Sequence, residues 1–386
     1  MYYLAEDFVW KEGSVTMQTM NSRQGLIWGA GVIGVLLLSA NFTAAQAPSR
    51  ALLVLEKSDN SLAIVDPANL QIVARLPAGP DPHEIVASPD GKLAYISNYG
   101  GSDSTLNTIS VIDLAARKAL PPINLGALRS AHGLAFAGGK LYFTAETNKI
   151  VGRYDPATQS VDLVLGTGQD RTHMVAVNES LDRIVTSNVS SGTISIIEQV
   201  SLPVAPAVLQ PGTAGPTFVA GSPPPGTGPP TGLPRRTWRV TNVATGRGAE
   251  GFDVSPDGKE IWAANAQDAT VTIIDIASKH VRQTVPIPVR GANRLKFTPD
   301  GKRVLASGLG AGAGANLVIL DSATGKELKT FDLGGGAAGI LIVPGGSRAY
   351  VAVSAKDKVA VVDLKNLQVT GYVSTGRQPD GLAWVQ

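Results

Sequence analysis

The chain has 386 residues, a formal net charge of +2 and 17% charged residues. No run of Lys or Arg is long enough to track a phosphate backbone, so nucleic acid is not an expected partner. The absence of cysteine excludes disulfides and thiolate metal sites, and 43 glycines with 25 prolines favour many short strands joined by turns.

The first predicted element is a leader. Arg23 precedes an apolar run that ends in Ala45-Gln46-Ala47. This is the pattern of a signal peptide cleaved after Ala47, which makes the mature protein periplasmic or secreted. The apolar core, residues 25–40, is shorter than the ~20 residues of a membrane span, so no membrane contact is expected after cleavage. The acidic start "MYYLAEDFVWKEGSVT" does not suit a leader and places the expected translation start at Met17 or Met20. Residues 1–47 are thus assigned as extension plus signal peptide, and residues 48–386 as one folded domain.

The mature chain opens with "ALLVLEKSDNSLAIVDPANLQIVARLPAG", three strands separated by turns. Next comes "DPHEIVASPDGKLAYISNYG" (residues 81–100), in which a Pro-Asp-Gly turn joins two apolar strands. The pattern returns, degenerate, at Ala131 ("AHGLAFAGGKLYFTAE") and Thr172 ("THMVAVNESLDRIVTSN"). It is clear again at Ala249 ("AEGFDVSPDGKEIWAAN"), Ala292 ("ANRLKFTPDGKRVLASG") and Ala337 ("AAGILIVPGGSRAYVAV"). Repeats of about 40 residues, each with four short strands, predict the blades of an all-β propeller. One four-stranded sheet cannot bury both of its apolar faces alone, whereas blades around an axis bury one another's.

The final "PDGLAWVQ" supplies one more first strand, and the mature start supplies the three strands that lack one. Together they complete a composite blade, which closes the ring and brings the count to seven. Residues 201–236, rich in Pro and Gly, interrupt this pattern as a long loop without a core of its own. Asp66, Asp113, Asp155, Asp275, Asp321 and Asp363 each end an apolar strand and are read as Asx turns between third and fourth strands. Trp238, Trp262 and Trp384 are read as packing between blades.

The repeat "SPDGKLAYISNYG…NTISVIDL", with "YISN" at 95–98, resembles the bacterial secreted YVTN-repeat β-propellers. The resemblance covers residues 51–386. It implies a seven-bladed fold and export and selects no activity, since sevenfold propellers include lactonases as well as the copper-bearing nitrous oxide reductase.

Aligning the repeats puts three of the four histidines in one column: His83, His132, His173, Glu250, Asn293, Ala338 and Asp380. The first strand of a propeller blade is innermost, so this column should ring the mouth of the central channel. The next column holds Glu84, Met174 and Arg294, with glycine elsewhere. Arg171, Arg247 and Arg290 lie just upstream, and the loops joining second and third strands, including Glu146, should share this face. Imidazoles with carboxylates are ligands for zinc or copper, and His83, His132, His173, Glu250 and Asp380 form the candidate metal set.

Three functions stay open. The first is an exported, monomeric propeller that binds a metal ion or small ligand at the channel mouth. The second is a lactonase- or lyase-like enzyme, with His83, His132 or His173 as acid or base, Glu84 or Glu250 as partner and Arg294 as an anion clamp. The third is a platform for a protein partner.

Overall fold

The computed structural model describes residues 50–202, 235–310 and 314–386. The leader and most of the 201–236 loop lie outside the described residues. Those described form seven four-stranded antiparallel sheets. The composite blade is real: Pro379–Val385 pairs with Ala51–Glu56, followed by Ser61–Asp66 and Gln71–Pro77. We number it blade 1. Blade 2 consists of Pro82–Ala87, Leu93–Asn98, Thr108–Asp113 and Lys118–Asn124. Blades 3 to 7 start with inner strands Ala131–Ala137, Thr172–Val177, Ala249–Val254, Ala292–Phe297 and Ile340–Ile342.

Burial explains the strand compositions. In the second and third strands nearly every side chain is buried, because both faces meet a neighbouring blade: Leu62, Ala63, Ile64 and Val65 are all fully buried. The outer strand Gln71–Pro77 instead alternates exposed and half-buried positions. The apolar core is divided into seven clusters, one at each blade interface. Leu53 and Ile64 of blade 1, for example, pack with Ile85, Ile96 and Ile112 of blade 2. Trp262 is fully buried where blades 5 and 6 meet, while Trp384 and Trp238 pack against the clusters between blades 7 and 1 and blades 3 and 4.

The six aspartates act as turn caps. Asp66 accepts the Ala68 N–H at 2.9 Å, Asp275 that of Ser278 at 2.7 Å and Asp363 that of Lys365 at 2.7 Å. The asparagine of "YISN" is structural too. Asn98 is buried, donates to the Ala78 carbonyl at 3.1 Å and accepts from the Thr108 and Ser110 hydroxyls. His280 begins an exposed outer strand, remote from the axis.

Candidate functional site at the channel mouth

The site is made by a local irregularity that recurs from blade to blade. Two residues ahead of the aligned position the backbone turns left-handed in six of the seven blades: Asp81 (φ 46°), Ser130 (55°), Arg171 (54°), Gly248 (73°), Gly291 (60°) and Gln378 (53°). The chain then enters the inner strand through a bulge, with register shifts at Pro82/Ile85, Ala131/Leu134, Thr172/Val175 and Ala249/Phe252. The bulge releases backbone groups from the ladder, and hydroxyls on the second strand take them up. Thr144 accepts the Gly133 N–H at 2.9 Å and donates to the His173 carbonyl at 2.6 Å in the next blade. Ser187 plays the same part for Met174 N–H (3.2 Å) and the Glu250 carbonyl (2.5 Å). The column is thereby fixed blade to blade by its backbone.

Glycine follows the aligned position in four blades because the next inner strand passes close by. A Cβ on Gly133 would lie 2.5 Å from the His173 carbonyl oxygen, and one on Gly251 would lie 2.3 Å from that of Asn293. Of the three exceptions, Met174 packs against the cluster between blades 4 and 5, and Glu84 and Arg294 reach one another. They belong to blades 2 and 6, which are not neighbours, and their carboxylate and guanidinium form an ion pair that spans the bore. Arg294 is also held through Nη1 by the Asn293 carbonyl (3.2 Å) and Oδ1 (3.1 Å).

The three ring histidines come together. His132 stacks on His173 with centroids 3.6 Å apart and an interplanar angle of 29°, and lies 5.2 Å from the ring of His83. Tyr99 meets both His83 and His132 edge-on at 4.7 Å. His173 is held between two carboxylates: Glu146 Oε1 bonds Nδ1, and Glu250 Oε2 lies 2.8 Å from Nε2. That second contact is close yet off the hydrogen-bond direction, which leaves Glu250 Oε2 buried with no aligned donor. We therefore read it as Coulombic. Burial opposes charge on His173, but Glu250 and Glu146 outweigh it and raise its pKa to about 9. Burial likewise opposes charge on Glu250, yet His173, with Arg294 and Arg171, brings it down to about 2. Glu146 is also lowered despite its burial, by His173, by the Tyr99 hydroxyl at 2.6 Å and by Arg171 at 3.4 Å.

The other two histidines are neutral. Burial drives His132 well below its ordinary pKa, with His173 and His83 adding repulsion, and its Nδ1 is buried without a partner. His83 is lowered chiefly by burial, against the pull of Asp380. It is the most exposed of the three at 14% of its side chain, with Lys57 Nζ 3.4 Å and Asp380 Oδ2 4.0 Å from Nε2. Lys57 in turn pairs with Asp380 at 3.3 Å.

Contacts gather His83, His132, His173, Glu250 and Asp380 into one cluster, and Glu84 meets Arg294. They do not converge on one point. Among the described residues no group of three or more His, Asp or Glu is placed to hold a metal ion. Of the upstream arginines only Arg171 joins the cluster: Arg247 pairs with Asp268 at an exposed site and Arg290 is exposed. The repeat alignment passed over Lys57 and Tyr99. Together with Glu146 they are the first residue after the second strand in blades 1, 2 and 3, a column that continues as Val189, Ala266, Leu309 and Ser354. Aligning that column as well would have found them.

Two clefts lie at the opposite end of the blades, and a third, of about 500 Å³, lies on the mouth side beside Leu309, Ser354 and Gln378. One of about 560 Å³ lies between blades 7 and 1, lined by Asp66, Arg348, Tyr350 and Trp384. Another of about 540 Å³ occupies the equivalent place between blades 4 and 5, lined by Asn178, Arg183 and Asp253.

No known protein-family model matches the chain, and no curated relative is similar to it. Solved structures share its fold. A functionally unknown protein from Desulfotomaculum acetoxidans is 13% identical with a TM-score of 0.65, covering 87% of this chain and 99% of its own. A putative 6-phosphogluconolactonase from Bacteroides fragilis is 16% identical with a TM-score of 0.63, covering 88% and 99%. Hydrazine synthase of Kuenenia stuttgartiensis is 18% identical with a TM-score of 0.59, covering 80% and 90%. At these identities the likeness establishes the seven-bladed propeller and nothing of the chemistry.

Proposed function

We propose that this chain is an exported propeller of the YVTN-repeat kind that binds a small organic ligand at the histidine mouth of its channel. One observation carries the reading: the Nδ1 of His132 is fully buried with no hydrogen-bond partner. An unpartnered buried polar atom costs about 1–3 kcal/mol, which a ligand group or an ordered water would recover. Ring closure does not require this cost, because blade 7 fills the same position with Ala338 and the same loop position with Ser354. The ring histidines are confined to blades 2 to 4, and sidedness of that kind suits an asymmetric ligand. Export is supported by the leader pattern ending at Ala47; intact mass of protein recovered from the periplasm should begin near Pro48.

The test of the mouth is crystallographic. Crystals soaked in a set of neutral, anionic and cationic fragments should show occupancy against His83, His132 and Tyr99. Fragments found only in the clefts between blade turns, with the mouth empty for every charge class, would overturn the reading.

A lactonase-like activity is the second reading, and His83 favours it. A neutral, partly exposed imidazole between Lys57 and Asp380 can accept a proton at neutral pH. The structural neighbour from Bacteroides fragilis, a putative 6-phosphogluconolactonase, points the same way. Hydrolysis of simple lactones by the wild type, lost in His83→Gln, would establish it.

A further inference from the structure

We infer that the mouth receives an uncharged, hydroxyl-rich molecule, a polyol or sugar, in preference to an anion or a metal ion. This rests on the reading that the mouth is a ligand site, and it adds the ligand's chemical class.

The first argument is charge matching. Each carboxylate on the inner ring already has a cation: Asp380 has Lys57, Glu84 has Arg294, Glu250 has His173, and Glu146 has His173 with Arg171. An incoming anion would have to separate one of these pairs and strand a carboxylate, and an incoming metal would strand a cation. Breaking one partner from a desolvated pair is costly. Asp81, on the outer lip 3.5 Å from His83 Nδ1, adds a further negative group that disfavours an anion. A neutral ligand leaves all the pairs in place.

The second argument is the chemistry of the groups left over. Among the described residues, two buried side-chain atoms lack hydrogen-bond partners, His132 Nδ1 and Glu250 Oε2, and both belong to groups packed against His173. Glu250 can only accept, whereas a neutral imidazole nitrogen accepts or donates according to tautomer. A hydroxyl both donates and accepts, so one kind of group satisfies both atoms. His83, the more exposed ring lying against His132, is the side chain that must give way for a hydroxyl to reach His132.

Calorimetric titration of the full chain tests the inference. The probes are D-sorbitol and myo-inositol, set against D-gluconate and inorganic phosphate. A neutral polyol should bind, and its affinity should change by less than about twofold between ~0.05 and ~0.5 M NaCl, because no net charge is exchanged. Glu250→Gln and His132→Phe should each weaken it by about tenfold, the loss of one hydrogen bond to a buried partner. His132→Gln, with a melting curve for each variant, guards against a folding defect. Gluconate or phosphate binding more tightly than sorbitol, with strong salt dependence, would overturn the inference while leaving the mouth as a ligand site. So would polyol affinity that these substitutions do not change, or the absence of binding by either polyol. If the fragment soaks also leave the mouth empty, the underlying reading fails with it.

Discussion

Glu84 and Arg294 stand on inner strands of blades 2 and 6, separated by two blades on one side of the ring and three on the other, yet their side chains meet across the bore. Both groups are largely withdrawn from water, at 15% and 8% side-chain exposure.

Removing one partner should therefore cost more than removing both. Glu84→Ala leaves a buried guanidinium without its carboxylate and should destabilise the fold by roughly 3 kcal/mol, whereas the double change Glu84→Met with Arg294→Met should lie within about 1 kcal/mol of wild type. Urea unfolding of the three proteins measures this. Equal losses in the single and double variants would mean the pair is not desolvated in the way the fold implies.

The fold was legible in the sequence because it repeats. Pro-Asp-Gly turns, apolar runs and the short "PDGLAWVQ" end gave strand number, blade number and ring closure without any tertiary information. The column through His83, His132 and His173 was legible for the same reason. The partners were not. Glu84 and Arg294 lie 210 positions apart, and nothing in their local context says that one crosses the bore to the other. Nor does local sequence reveal that Glu146 bonds His173 from the neighbouring blade. Ligand type suggested a metal, but the rings stack face to face and carboxylates take both nitrogens of His173, an arrangement set by packing that composition cannot encode.

The His173–Glu250 contact should leave a signature in the pH dependence of stability. His173 rises from 6.5 to about 9 on folding, so its contribution is full below pH 6.5 and is lost as pH rises through about 9. Glu250 falls from 4.5 to about 2, so its contribution is present above pH 4.5 and is lost as pH falls through about 2. These are two views of one interaction and count once. His83 and His132 work oppositely: both are lowered on folding, so they favour the unfolded state as pH falls below 6.5. Comparison with Glu250→Gln isolates the pair. Its stability deficit relative to wild type should be largest near pH 6 and shrink toward about pH 10. A deficit independent of pH over that range would mean that His173 is not charged in the fold.

The glycines behind the aligned residues should resist substitution for steric reasons. Gly251→Ala would place a Cβ 2.3 Å from the Asn293 carbonyl oxygen, a backbone atom that cannot rotate away. Separating blades 5 and 6 there should cost about 1–3 kcal/mol. Gly166→Ala, at the end of an outer strand with nothing within 4 Å, is the control and should change stability by less than about 0.5 kcal/mol. Thermal melts of both variants provide the comparison. The Gly251 variant should also disturb ligand binding, because Glu250 and Asn293 move with the strand.

Closure of the ring depends on the last residues of the chain. Pro379–Val385 is the inner strand of blade 1, paired along Ala51–Glu56, and Ala383 and Val385 are buried in the cluster shared by blades 1 and 2. Its loss would uncover the edge of a strand whose Leu52, Leu53, Val54 and Leu55 are all fully buried. It would also remove Asp380 from Lys57 and His83, and Gly381 from a position where an added Cβ would lie only 2.5 Å from the His83 carbonyl oxygen. The closing segment is fastened at its top as well: Gly376 N–H donates to Glu56 at 2.7 Å, and Arg377 bonds Asp59 through its backbone N–H at 2.6 Å and Nε at 2.7 Å. A chain ending at Gln378 keeps these fastenings but lacks the strand they position. It should lose cooperative unfolding and become prone to association through the exposed edge. Adding residues 379–386 back as a synthetic peptide should restore the melting transition, since a separate strand can fill a vacant sheet position. Retention of wild-type melting by the truncated chain would show that blade 1 holds the ring without its inner strand, and that closure lies elsewhere.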